Sequence, residues 1–166
     1  LEQLAFFADE MRRANAYFGR IRLVGGEPTI YPRFDEAVKF LHRELVTTGH
    51  IGRLEVVTNG SKPEKIVPVK AFIEKVRPSG EAAKQRDHTA NLVHSPKSLG
   101  YQGKMCTAPW HCGWSLNAWG YFPCSSGAGL SRFHDMAKWQ RLKLPTRKTL
   151  DECPDLQELC DMCYTV

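Results

Sequence analysis

The sequence predicts an α/β protein whose first half folds as parallel βαβ units and whose second half is a cysteine-rich metal-binding module. Strand-like and helix-like runs alternate up to residue 78, and all six cysteines lie in the last 61 residues. A chain of 166 residues, 42% of them hydrophobic, is long enough to form a core in one small domain with an appendage. We therefore predict two domains, at residues 1–94 and 95–166.

The first half begins with a predicted helix and a predicted strand. Residues 1–16 carry apolar side chains at helical spacing, and Gly19 is predicted to end this helix. A strand is predicted over residues 20–24. The apolar helix positions are Leu1, Leu4, Ala8 and Met11.

A second helix and a second strand follow. Pro32 suits a first helical turn, and Gly49 suits a helix stop. The next strand is predicted over residues 54–58, with Asn59 and Gly60 as its turn. This strand–helix–strand spacing indicates a right-handed unit with two parallel strands. The apolar stripe of the helix consists of Phe34, Val38, Leu41 and Leu45.

A third helix is predicted within residues 63–77. Polar residues between 78 and 86 predict the loop that separates the domains, and residues 89–94 predict one more strand. The inward positions of the third helix are Ile66, Val69, Ile73 and Val76.

The run from Arg22 to Thr29 is the strongest functional signal in the chain. It reads as the end of a buried strand, a turn made by Gly25 and Gly26, one carboxylate and a proline. Two glycines permit positive φ and let a ligand approach the backbone closely. Glu27 is thereby placed at the carboxyl edge of a sheet, where α/β folds bind their ligands. A carboxylate at this position suits a ligand with an ammonium group or hydroxyls.

The cysteines predict a metal site. They are spaced Cys106-x5-Cys112-x11-Cys124, then Cys153, then Cys160-x2-Cys163. Residues 117–124 predict a β-hairpin with Gly120 at its turn, and a hairpin with a distant Cys-x2-Cys pair brings thiolates together. Confinement of the cysteines to one end, beside an α/β half typical of cytosolic proteins, favours a metal over disulfides. Spacing alone leaves zinc and an iron–sulfur cluster equally open.

These motifs resemble those of the radical S-adenosylmethionine (radical SAM) enzymes. Gly25-Gly26-Glu27-Pro28 resembles the family's Gly-Gly-Glu-Pro motif, Thr58-Asn59-Gly60 ends the next strand as in many members, and the cysteine-rich half resembles a SPASM or twitch auxiliary domain. The resemblance implies a partial (βα) barrel in which Glu27 holds the methionine amino group of S-adenosylmethionine. The cofactor-binding residues that it implies are Gly25, Gly26, Glu27, Pro28, Thr58 and Asn59.

The resemblance also implies an auxiliary 4Fe-4S cluster. The spacing from Cys106 to Gly120 fits the family pattern, and that from Gly120 to Cys124 is one residue short. Five cysteines compete for four ligand positions. The simplest set is Cys106, Cys124, Cys160 and Cys163, and Cys112 is a near-equal rival.

One family feature is missing from the sequence. Family members carry a Cys-x3-Cys-x2-Cys loop before the Gly-Gly-Glu-Pro strand, and no cysteine precedes Cys106 here. We therefore expect a fragment without the initiating cluster, which a companion segment would supply. The family's chemistry is hydrogen abstraction by a 5′-deoxyadenosyl radical. The substrate, a peptide or a small molecule, and the catalytic residues stay unassigned, as does the activity of this chain alone.

Two other hypotheses remain open at this point. One is a non-catalytic zinc module that contacts nucleic acid or protein through the basic residues between 138 and 148 and the aromatic hairpin. The other is a remnant that does not fold alone. A net charge of +5 is too small to predict a nucleic-acid partner by itself. With neither a membrane-spanning run nor a leader in the sequence, we expect a cytoplasmic protein and no membrane partner.

Overall fold

The computed structural model of the chain describes residues 1–25, 27–78, 114–123, 128 and 136–145. The chain divides into two compact units, Leu1–Arg86 and Asp87–Val166. The predicted domain division after residue 94 lies outside the described residues, as do the predicted strand at 89–94 and all six cysteines.

The first unit alternates helices with the strands of one parallel sheet. Its strands are β1 (Ile21–Leu23), β2 (Leu54–Thr58) and β3 (Lys75–Pro78), in the order β1-β2-β3. Leu23 lies opposite Val56, and Val56 lies opposite Val76. Connections between parallel neighbouring strands are right-handed in nearly all proteins, so two successive crossovers in one direction are expected to place their helices on the same face of the sheet. The predicted parallel pair of strands is thus confirmed, and a third strand extends it.

The first helix, α1 (Glu2–Arg13), is shorter than predicted. Ala8 and Met11 are fully buried as the pattern predicted, and Phe7 joins them. The prediction that Gly19 ends the helix is wrong. The chain leaves the helix after Arg13, and Asn15 adopts a positive φ of 46°, a conformation that asparagine tolerates better than most residues.

The second helix, α2 (Phe34–Leu41), continues directly into a π-helical segment, His42–Val46. All four residues of its predicted stripe, including Leu45 in the π-helical segment, are buried. Asp35 and Glu36 lie in the first turn, where the helix dipole favours negative charge. Gly49 follows with a φ of 79°, so the predicted stop is confirmed. Helix α2 packs against both α1 and the segment that precedes β3.

The prediction of one long third helix is wrong. A short helix α3 (Pro63–Ile66) is followed by a 3₁₀ segment (Val67–Phe72) and then by strand β3. Pro68 explains the break, because proline has no N–H to continue an α-helical ladder and its ring clashes with the preceding turn. Val69 and Ile73 are buried, but Val76 lies on the strand and is 39% exposed.

The described part of the second unit contains the predicted β-hairpin. Strands β4 (Ser115–Asn117) and β5 (Gly120–Phe122) are antiparallel, and Ser115 lies opposite Phe122. Gly120 has a φ of 130° and starts the returning strand. Tyr121 also forms a bridge with Arg141, which follows a short helix α4 (Met136–Trp139). Tyr121, Phe122 and Trp139 are buried and provide the core of this hairpin.

Candidate functional site

The path of the chain after β1 places Glu27 at the carboxyl edge of the sheet. Gly25 has a φ of 147°, a conformation that few residues other than glycine adopt. Glu27 is the N-cap of a 3₁₀ turn, Pro28–Ile30, and Pro28 occupies the first turn, where a missing N–H costs nothing. The glycine before Glu27 and the proline after it therefore determine the backbone conformation that positions the Glu27 side chain after β1.

The Glu27 carboxylate joins the ends of β1 and β2 through four hydrogen bonds. Oε1 accepts from the Thr29 backbone N–H at 3.1 Å, from the Thr29 hydroxyl at 2.6 Å and from the Thr58 hydroxyl at 2.7 Å. Oε2 accepts from the backbone N–H of Asn59 at 2.5 Å. Thr29 and Thr58 are both buried. The carboxylate is therefore held in one orientation by residues from two neighbouring parallel strands.

The turn after β2 is organised around the same group. Thr58 Oγ1 donates to Glu27 and accepts from the Gly60 N–H at 3.1 Å. Asn59 Oδ1 accepts from the Ser61 N–H at 2.8 Å, and Gly60 has a φ of 76°. The Asn59 side chain thus stabilises the turn, and its contact with Glu27 is made by the main chain.

The hydrogen bonds keep Glu27 charged. Burial raises the pKa of the Glu27 carboxyl, but the hydrogen bonds from Thr29, Asn59 and Thr58 together outweigh it and hold this pKa below its ordinary value. None of the described Lys, Arg or His side chains forms an ion pair with this carboxylate. The site therefore presents a negative charge that a cationic ligand could neutralise.

The two carboxylate oxygens differ in their remaining capacity. An ionised carboxylate accepts at about four lone-pair positions, two on each oxygen. Oε1 already has three donors, whereas Oε2 has one, from Asn59. Oε2 is therefore the oxygen with an unused acceptor position, which a further donor such as an ammonium group could occupy.

Apolar side chains flank the carboxylate along the chain. Val24 precedes the glycine turn, and Ile30 and Tyr31 follow the 3₁₀ turn, each at least 43% exposed. Exposed apolar side chains before and after a hydrogen-bonded carboxylate in the sequence would suit a ligand that combines a cationic group with an apolar body.

Of the predicted cofactor-binding residues, the structure brings Glu27, Thr58 and Asn59 together, with Gly25 and Pro28 shaping the turn. Gly26 lies outside the described residues. Thr29 is not among the predicted site residues, but it contributes two of the four hydrogen bonds. Its signal was a hydroxyl two residues after the carboxylate, the spacing at which an N-cap side chain meets the next turn.

The predicted metal ligands belong to the second unit. Cys106, Cys112, Cys124, Cys160 and Cys163 all lie outside the described residues. Within the described ranges, no group of three or more His, Cys, Asp or Glu side chains is arranged to hold a metal ion. The same ranges contain no helix with the length and hydropathy needed to cross a bilayer.

Comparison of the chain with protein-family models, with curated proteins and with solved structures gives no match.

Proposed function

We propose that this chain is a radical SAM protein fragment that binds the amino group of S-adenosylmethionine through Glu27 and an auxiliary 4Fe-4S cluster through its C-terminal cysteines. One observation carries the proposal. Glu27 is an ionised, oriented carboxylate at the carboxyl ends of two adjacent parallel strands, and its Oε2 has an unused acceptor position. This is the position at which α/β folds bind their ligands.

The residues around Glu27 fit the amino-acid part of the cofactor. An α-ammonium group needs a charged acceptor, and a charge-assisted hydrogen bond is about twice as strong as a neutral one. Thr29 and Thr58 orient the carboxylate before the ligand arrives, which lowers the entropy lost on binding. Val24, Ile30 and Tyr31 offer apolar contacts to the rest of the molecule.

The sheet is consistent with part of a (βα) barrel. Its parallel strands follow one another in sequence order, and successive helical segments contact each other. Both features are expected where each βα unit is added beside the previous one.

When bound next to a reduced iron–sulfur cluster, S-adenosylmethionine supplies the radical chemistry of this family, and the protein contributes position and electrostatics. Glu27 would fix the methionine end of the cofactor. Cys106, Cys112, Cys124, Cys160 and Cys163 remain the candidate ligands of the auxiliary cluster. A companion segment would hold the initiating cluster.

The test is a binding comparison with two related ligands. S-adenosylmethionine carries the amino group, and 5′-methylthioadenosine lacks the whole amino-acid part. We expect Glu27→Gln to weaken S-adenosylmethionine binding about tenfold or more, since a charged pair is lost, and to leave 5′-methylthioadenosine unaffected.

The matched control is Glu36→Gln, which removes an exposed carboxylate whose pKa is also lowered, in this case chiefly by its hydrogen bond with Arg33. This variant should bind both ligands like the unmodified chain. Equal weakening of both ligands by Glu27→Gln, or no weakening of either, would contradict the assigned role of Glu27.

A further inference from the structure

A second charged cluster lies on the sheet, away from Glu27. The strand register places Arg22, Glu55 and Lys75 in one row across β1, β2 and β3. Residues in register share one face of a parallel sheet, and Leu54 and Val56 alternate with Glu55. Leu54 and Val56 are buried in the apolar core. The charged row therefore stands on the opposite face.

Glu55 is fully buried between two guanidinium groups. The Arg22 Nε donates to Glu55 Oε2 at 2.8 Å, and the Arg53 Nε lies 3.2 Å from Glu55 Oε1. The Arg53 Nε is not aligned for a hydrogen bond with that oxygen, so it is a buried donor without an acceptor among the described residues. A buried carboxylate needs such cations to offset the cost of its desolvation.

Both arginines approach Glu55 through their Nε atoms and not through their Nη atoms. Among the described residues, none accepts a hydrogen bond from the Nη atoms of Arg22 or Arg53. These side chains are 25% and 41% exposed, so they reach solvent, and Lys75 beside them is exposed. The described cluster contains three cationic side chains and one carboxylate, so its net charge is positive. A guanidinium fork matches phosphate oxygens.

We propose that Arg22, Arg53 and Lys75 bind the phosphate group of a small ligand, and that Glu55 is a positioning residue that holds the two guanidinium groups. A phosphate monoester carries a charge of about −1.5 to −2 at neutral pH, and it matches the positive excess better than a carboxylate does. Glu55 is the second residue of β2 and Lys75 the first of β3, whereas Glu27 lies beyond the carboxyl ends of the strands. The proposed phosphate site therefore lies at a different place on the sheet from the proposed cofactor site.

The test is an isothermal titration calorimetry experiment in which inorganic phosphate is added to the full chain at constant ionic strength. Acetate, a monoanion, is titrated under the same conditions for comparison. We expect phosphate to bind more tightly than acetate. Arg53→Gln and Lys75→Gln should each weaken phosphate binding about tenfold, because each removes a charged donor. Neither change leaves Glu55 without a cation, since Arg22 keeps its contact. Circular dichroism of each variant verifies that it is folded.

Two control variants distinguish a specific phosphate site from nonspecific electrostatic attraction of anions to the chain. Arg12→Gln removes one positive charge from the ion pair between Arg12 of α1 and Glu44 of the π-helical segment. This variant should bind phosphate like the unmodified chain. Glu27→Gln should also leave it unchanged, so a failure of this site is distinguishable from a failure of the proposed cofactor site. The proposal is overturned by absence of phosphate binding, by unchanged binding in Arg53→Gln and Lys75→Gln, or by equal weakening in Arg12→Gln.

Discussion

Removing the Thr58 hydroxyl while keeping the side-chain volume tests how the two strand ends are tied together. In the native chain Thr58 Oγ1 donates to Glu27 at 2.7 Å and accepts from the Gly60 N–H at 3.1 Å. A hydrogen bond to a charged group contributes about 1.5–3 kcal/mol, and a neutral one about 1 kcal/mol. Water can partly replace both partners, so we expect Thr58→Val to lower the free energy of unfolding by about 2–3 kcal/mol at neutral pH.

This loss should depend on pH, because the acceptor is ionised. The pKa of Glu27 in the folded chain is held below its ordinary value of 4.5, since the hydrogen bonds outweigh the effect of burial. A group with a lowered folded-state pKa contributes stability above its unfolded-state pKa, and this contribution is lost as the pH falls through the folded-state pKa. The penalty of Thr58→Val should therefore shrink in acid, where the carboxyl is protonated and accepts more weakly.

The assay is urea unfolding, monitored by circular dichroism, at about pH 7 and at about pH 3. Thr47→Val is the control, because the Thr47 hydroxyl donates to the neutral carbonyl of Arg43 at 2.5 Å on an exposed surface. It should change stability by no more than about 0.5 kcal/mol. The reasoning fails if the Thr58→Val penalty is the same at both pH values or is no larger than that of Thr47→Val.

Two further changes test other parts of the fold. Gly120→Ala should destabilise the hairpin by about 1–3 kcal/mol, because φ is +130° and a Cβ would lie 2.7 Å from the Arg141 carbonyl oxygen. Thermal unfolding followed by tryptophan fluorescence measures this, and Gly19→Ala, in open space, should match the native chain. Arg22→Met should cost about 1–3 kcal/mol in urea unfolding, because it removes a hydrogen-bonded partner of buried Glu55 while Arg53 stays 3.2 Å from that carboxylate, and the double variant Arg22→Met with Glu55→Leu should recover most of this loss. A double variant as unstable as the single one would argue against this reading of the ion pair.

The elements that the sequence predicts well are those with a long, regular apolar pattern. The stripe of α2 repeats over twelve residues, and β2 is a β-branched run ended by Asn59 and Gly60. Strand β3 has only four residues, and its single apolar position between charged ones resembles the end of a helix. Pro68 is the feature of the sequence that argues against a continuous helix in this region.

The site was predictable to the extent that its residues follow strand ends. Parallel strands meet at one edge, so residues after β1 and β2 are expected to be neighbours. The burial of Glu55 was not predictable in this way, because it depends on Arg22 from a strand 33 residues earlier in the chain. The main-chain contact of Asn59 also depends on the turn geometry and not on the residue type.

The most direct test of the radical SAM proposal is the metal content of the full chain after anaerobic reconstitution. A 4Fe-4S cluster predicts about four irons and four sulfides per chain, with a brown absorbance that is lost in Cys124→Ser. One zinc per chain without sulfide would contradict the proposal, and it would assign the cysteine-rich half to a structural zinc module instead.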